Sequence, residues 1–357
     1  MSHSPESSDA SKPERAAQWA QQRRREIART PFVVLTVKAS GIHPATSRIV
    51  ALHAVVLTKD GEVTEEFYSV INSGSDPGPQ HLHGFTRAEV AEGKRFSQIL
   101  KALGKLIDGR TLILNNLPMT WGFVVAEARR AMAQAARANR SRNRQRSRRQ
   151  RVGHVPKPHK IVDTLASAYQ QGLVLEDNRI RTIAQTLHLD VEPAHATIKR
   201  AQLSAREVIR EETDIVTRIF FVLDAMGKMA SISPNNLGSD RFGLQRSQVY
   251  NQAIATEPAF KNPGVYTPKT GLVQGMEVVI APEVTVHPDA LIRKIVAAQL
   301  VYAPKTTRRS SVVVCNQRDD LRGKAMHAVR KGIPLLSDKE FLRLVKNTAP
   351  GTPVEEA

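Results

Sequence analysis

The sequence predicts an α/β protein in which a mixed sheet flanked by helices is followed by a smaller α/β unit. Three observations predict it. Short apolar, β-branched runs come first, at Phe32–Val37, Arg48–Thr58 and Val63–Ile71. After Thr86 the apolar period becomes helical, through Phe96, Ile99, Leu100, Leu103 and Ile107, before a further strand at Thr111–Leu114. From Gly271 strands and helices alternate again, beyond a stretch rich in Asn, Ser, Gly and Pro at Ser231–Lys269 that reads as a linker.

Taken in order, residues 1–30 read as a loose basic arm, polar at first and helical in composition from Arg15 to Arg29. The second and third strands flank Lys59-Asp60-Gly61, whose Asp-Gly pair is a hairpin signal. Between Arg129 and Lys160 there is no acidic residue, while Arg137, Arg140, Arg142, Arg144, Arg146, Arg148, Arg149 and Arg151 follow one another among Asn, Ser and Gln. So few apolar groups cannot offset the entropy of ordering, and a disordered insertion is expected over about 132–158. Helical periodicity is expected from Ile161 to Leu187 and from His195 to Leu223. The boundaries that follow are 31–228 for the first unit, 229–270 for the linker, 271–347 for the second unit and 348–357 for a tail.

The second unit reads as strand Met276–Ile280, helix Pro288–Ala298, strand Ser311–Cys315, helix Arg322–Lys331, strand Ile333–Leu336 and helix Asp338–Val345. Gly332 stands where a helix C-cap needs a positive φ, and Gln299 stands at a turn that would carry strain if it needs one too.

With 52 Lys and Arg against 34 Asp and Glu, the formal net charge is +18, which implies a polyanionic partner. No signal peptide or membrane-length apolar run is visible, so the expected setting is cytoplasmic, with nucleic acid and not membrane as the partner. The single cysteine, Cys315, excludes an intrachain disulfide and reads as a core residue.

The stretch Phe32–Pro44, FVVLTVKASGIHP, together with RIVALHAVVL and HLHGFT at His81–Thr86, resembles the first motif region of DEDD-type 3'-5' exonucleases such as the DNA polymerase III epsilon subunit. The resemblance covers about residues 31–225. It implies a ribonuclease H-like exonuclease fold and, in intact members, two Mg2+ or Mn2+ ions held by carboxylates, because such hard cations prefer oxygen ligands.

The positions of those carboxylates are occupied here by Thr36 and Lys38 in the first motif, Thr120 after Asn116 in the second, and Arg200 after His195 in the third. The resemblance therefore implies a catalytically degenerate member with no cofactor. Lys38 and Arg200 become candidate phosphate contacts, as do the arginines of the insertion. The alternative is an active nuclease whose metal sits on a non-standard ligand set. Asp163 reads as a helix N-cap, and His195 as a packing or capping residue.

Gly275, VVIA, SSVVVC, Gly323-Lys324 with Ala328, Gly332-Ile333-Pro334 and Phe341 resemble a BRCT domain. That resemblance implies replication or repair proteins as partners, with DNA a better match than RNA for the chain as a whole. Lys324 is the candidate phosphate ligand of a BRCT pocket, but Ala281-Pro282 replace the usual hydroxyl residue beside it.

Overall fold

The computed structural model describes residues 12–144 and 151–354, with side chains described over 14–140 and 151–354. The chain opens with helix α1 (Lys12–Arg29), then strands β1 (Phe32–Ala39), β2 (Ile49–Leu57) and β3 (Val63–Val70). Short helices α2 (Gln80–His83) and α3 (Arg87–Ala91) lead into α4 (Phe96–Ile107), β4 (Thr111–Leu114) and the long α5 (Leu117–Arg144). Then come β5 (Lys160–Asp163), α6 (Thr164–Gln170), α7 (Ile180–Thr186), α8 (Ile198–Ala201), α9 (Ala205–Met226) and β6 (Ser231–Ile232).

These strands form one sheet in the order β3-β2-β1-β4-β5-β6. The β1–β2 and β2–β3 pairs are antiparallel, β1–β4 and β4–β5 parallel, and β5–β6 antiparallel. It is the mixed sheet flanked by helices that the sequence predicts. The β2–β3 turn carries Gly61 at φ +88°, as its Asp-Gly signal requires.

Strand alternation divides the core between two faces. Val33 and Leu35 point toward α4 and α5, packing with Leu100, Leu103, Trp121 and Val124. Val34 faces the other way, onto Val216 and Phe220 of α9. Thr36 and Lys38 share the parity of Val34, so β1 delivers both to the α9 side of the sheet.

A second sheet follows a two-stranded ribbon of β7 (Leu237–Ser239) and β8 (Gln245–Ser247) and helix α10 (Gln248–Ala255). Its elements are β9 (Glu277–Ile280), α11 (Pro288–Ala297), β10 (Val301–Ala303), β11 (Ser310–Val314), α12 (Gly323–Arg330), β12 (Leu335–Leu336) and α13 (Asp338–Leu344). The strand order is β10-β9-β11-β12, all parallel, with Cys315 buried beneath α12. Gly332 has φ 68° and Gln299 φ 59°, so the strained turn expected at Gln299 exists.

Four expectations need correction. The arm is not loose over its described part. Arg23 donates to the carbonyl oxygens of Lys105 and Asp108, and the buried Arg110 donates to Glu26 Oε1 at 2.8 Å and to Thr30 O at 2.7 Å. These contacts dock the C-terminal half of α1 on the end of α4.

The insertion is not disordered over 132–144, where α5 continues, because Ala131, Ala133, Ala135, Ala136 and Ala138 make this segment a strong helix former before the arginines begin. Residues 151–158 are fixed as well, with Val152, Pro156 and Pro158 buried and Asp108 accepting from the Lys157 backbone N–H at 2.7 Å. Arg146, Arg148 and Arg149 lie outside the described residues, as do the side chains of Arg142 and Arg144.

Residues 160–163 form a central strand where a helix was expected, since Ile161 and Val162 are each buried, one on either face. The linker segment carries β6, which completes the first sheet, and α10, whose Ala253 is buried in the core of the second unit. Among the described residues no helix is long and apolar enough to cross a membrane.

Candidate functional site

The C-terminal ends of the parallel strands β1 and β4 open onto a cleft of about 360 Å³, walled on one side by α9. Thr36, Thr120 and Arg200 all line it, so three of the four positions singled out in the sequence come together in space. The fourth, Lys38, reaches the same wall through Glu212, which lies in the cleft and accepts from Lys38 Nζ at 2.6 Å. His195 does not join them. Its side chain is exposed in the loop before α8, and its backbone carbonyl accepts from the Arg200 guanidinium at 2.6 Å.

The local chemistry at each position is specific. Thr36 Oγ1 is buried with no hydrogen-bond partner among the described residues. Thr120 Oγ1 turns away from an acceptor role and donates to Asn115 O at 2.8 Å, closing the first turn of α5. Asn116 sits at φ 59°, the left-handed conformation that asparagine tolerates better than most residues.

Asp163 holds this corner together. Its carboxylate accepts from the backbone N–H groups of Asn116 and Leu117 at 2.9 and 2.8 Å, and caps α6 through Leu165 and Ala166 at 3.1 and 3.4 Å. Burial pushes its pKa up, and these four donors pull against that. The N-cap reading is correct, but the same side chain also joins the β4–α5 turn to the β5–α6 turn.

Sequence reasoning missed Glu212, Arg179 and Arg181. Glu212 had a usable signal, because Val208, Glu212 and Val216 recur every four residues on α9 and all three line the cleft. The arginines had none, since their placement depends on how the α6–α7 loop folds back. Arg179 pairs with Asp177, whose carboxyl it holds down at about 2. Arg181 pairs with Glu211 at 2.6 Å.

Charge in the cleft can be tallied from these pairs. Lys38 offsets Glu212, Asp177 offsets Arg179, and Glu211 offsets Arg181. Arg200 is the remainder. It donates to the carbonyl oxygens of Pro193 and His195 and has no acidic partner among the described residues. A pair of divalent cations does not fit such a wall, where two hydroxyls and a guanidinium line the cleft and the single carboxylate of the lining is committed to the Lys38 ammonium.

Arg137, Arg140 and Arg151 are exposed but far from this cleft. At 1.5 Å per residue, α5 carries the chain about 30 Å from Thr120 to Arg140. In the second unit, Lys324 Nζ donates to Ile280 O at 2.7 Å, and burial lowers its pKa to about 8. The neighbouring Ala281 and Pro282 offer no side-chain donor for a phosphate.

No family model matches the chain, and no curated protein does. Among solved structures, the chain is similar to E. coli exonuclease I in complex with a dA16 oligonucleotide at 13% identity and a TM-score of 0.36, over 54% of this chain and 40% of that one. It is similar to the RNase domain of yeast Pop2 at 13% identity and a TM-score of 0.37, over 63% and 87% of the two chains. For Brucella melitensis NrnC the identity is 10% and the TM-score 0.31, over 56% and 73%.

Proposed function

We propose that this chain is a DNA polymerase III epsilon-like protein whose exonuclease fold binds nucleic acid without cutting it, joined to a C-terminal BRCT domain. In this reading it serves DNA replication or repair in the cytoplasm, with DNA preferred over RNA. The observation that carries it is Arg200, a cation without an acidic partner on the wall of a cleft whose metal-ligand positions hold no carboxylate. A guanidinium held in place by two carbonyls is pre-positioned for a phosphate.

The alternative, a metal-dependent 3'-5' exonuclease on a non-standard ligand set, would have to recruit Glu212, and Lys38 already neutralises it at 2.6 Å. The BRCT reading is supported by the parallel order β10-β9-β11-β12 with its three helices. Because Lys324 is spent on Ile280 O and no hydroxyl stands beside it, we assign that domain to protein partners bound through other surfaces than a phosphate pocket.

Fluorescence anisotropy of labelled single-stranded DNA and RNA, titrated with protein in EDTA across a salt series, tests the binding reading. Metal-independent binding that weakens linearly in log-log salt is expected, with Arg200→Gln lowering affinity several-fold. Absence of binding at about 50 mM salt would discard it.

A further inference from the structure

Strands β1, β4 and β5 are parallel, so their N-terminal ends, Phe32, Thr111 and Lys160, gather at the pole opposite the cleft. Three segments meet at that pole. The C-terminal half of α1 docks on the end of α4 through Arg23, while Ile27 packs against Gly109. The 151–159 segment lies along the same end of α4, with Gly153 against Lys101, His154 Nε2 2.7 Å from Asp108 Oδ2, and Gly109 N–H donating to Lys157 O at 2.9 Å.

The two acids between these segments, Glu26 and Asp108, are already committed. Glu26 accepts from Arg23 and Arg110, and Asp108 binds His154 and the Lys157 backbone N–H. The cations facing outward are not. Arg24, Arg25 and Arg29 on α1, Lys101 on α4, and Arg151 and Lys157 are exposed, and none makes an ion pair among the described residues. Trp19, 67% exposed, stands on the same helix.

From these observations we infer that this pole is a second nucleic-acid-binding surface, separate from the cleft, which grips the phosphodiester backbone through α1, α4 and the 151–159 segment. It rests on the nucleic-acid reading above and adds to it a site and a geometry. Six residues of β1 lead from Phe32 to Lys38, so the pole and the Lys38–Glu212 wall lie about 20 Å apart. That span corresponds to roughly six nucleotides at duplex spacing, so one phosphate cannot contact both. A longer strand can touch both and gains by effective concentration. The cations recognise phosphate whatever the sequence, and Trp19 supplies a stacking face for an unpaired base.

The test uses the full chain and a labelled single strand of about 30 nucleotides, long enough to span both sites. Charge reversal at Arg24→Glu, Arg25→Glu and Arg29→Glu is expected to weaken binding at least about tenfold and to flatten the salt slope by roughly two. Lys101→Glu with Lys157→Glu, on the neighbouring segments, should act in the same direction if the three form one surface. The tryptophan emission gives a second readout, because the chain has two tryptophans and Trp121 is only 2% exposed. Saturating DNA should quench the emission of the wild type but not of Trp19→Phe, and Arg200→Gln should leave the quenching in place. Wild-type affinity and salt slope in the α1 variant, or quenching abolished by Arg200→Gln, would overturn the second surface while leaving the cleft. No binding by the wild type would overturn both.

Discussion

At the scale of single residues, the cleft carries a cost in stability. The Thr36 hydroxyl is buried without a partner, and leaving such a group unmade costs about 1–3 kcal/mol. Thr36→Val should therefore raise stability by about 1 kcal/mol, measured as a shift of the urea midpoint at constant slope. The Lys38–Glu212 pair is half-buried, with each side chain under 20% exposed. Lys38→Met and Glu212→Gln should each cost about 1–2 kcal/mol, and the double variant less than their sum, since each single change leaves the other group without its counter-charge. A double variant as costly as the sum would show that the two do not interact. Thr36, Lys38, Thr120 and Arg200 were singled out in sequence because they stand within a resemblance to a known motif pattern, and three of them line one cleft. Glu212 was marked only by its four-residue spacing with Val208 and Val216 on α9, and its partner Lys38 lies 174 positions away in the chain.

At the scale of elements, the strands and the helices of strong period were read correctly, and the errors cluster where charge masks structure. The outer face of α1 and the end of α5 are so rich in arginine that composition alone points to disorder, yet Arg110 on Glu26 and Arg23 on the Asp108 carbonyl hold α1, and alanine propensity carries α5 onward. The strand at Ile161–Val162 was too short to be told from a helix by periodicity. Asp163 clamps two turns, so Asp163→Ala should cost at least about 2 kcal/mol by leaving buried N–H groups unpaired.

Between β2 and α9, His53 lies beside Thr213 Oγ1 at 2.8 Å and Glu66 at 2.9 Å, with Arg210 on the same carboxylate and Arg206 over Tyr68. Burial lowers the His53 pKa despite Glu66, and the His53 contact lowers that of Glu66. A depressed pKa contributes stability that is present above the unfolded value and lost as pH falls through the folded one. The melting temperature should thus fall as pH drops from about 7 toward 5, and His53→Gln should flatten that slope.

At the scale of the whole molecule, two sheets of different topology share one chain, and the segment between them contributes to both: β6 to the first and α10 to the core of the second. The sequence disclosed two strand patterns, and each runs through one of the two sheets. It could not disclose that the segment between them is structured, since β6, β7 and β8 are only two or three residues long and their pairing is set by tertiary contact. In the second unit Gln299→Gly should add about 0.5–1 kcal/mol by relieving the positive φ at the exposed α11–β10 turn. Cleft and basic pole lie at opposite ends of the first sheet, an arrangement suited to holding a strand along the body of the protein instead of cleaving its end.

The most direct test of binding without cleavage is to incubate the purified protein with 5'-labelled single-stranded DNA and Mg2+ or Mn2+, beside an EDTA control, and to resolve the products on a denaturing gel. The account predicts full-length strand in every lane under conditions where the protein binds it. A metal-dependent ladder of shortened products that survives repurification and disappears in Glu212→Gln would contradict it.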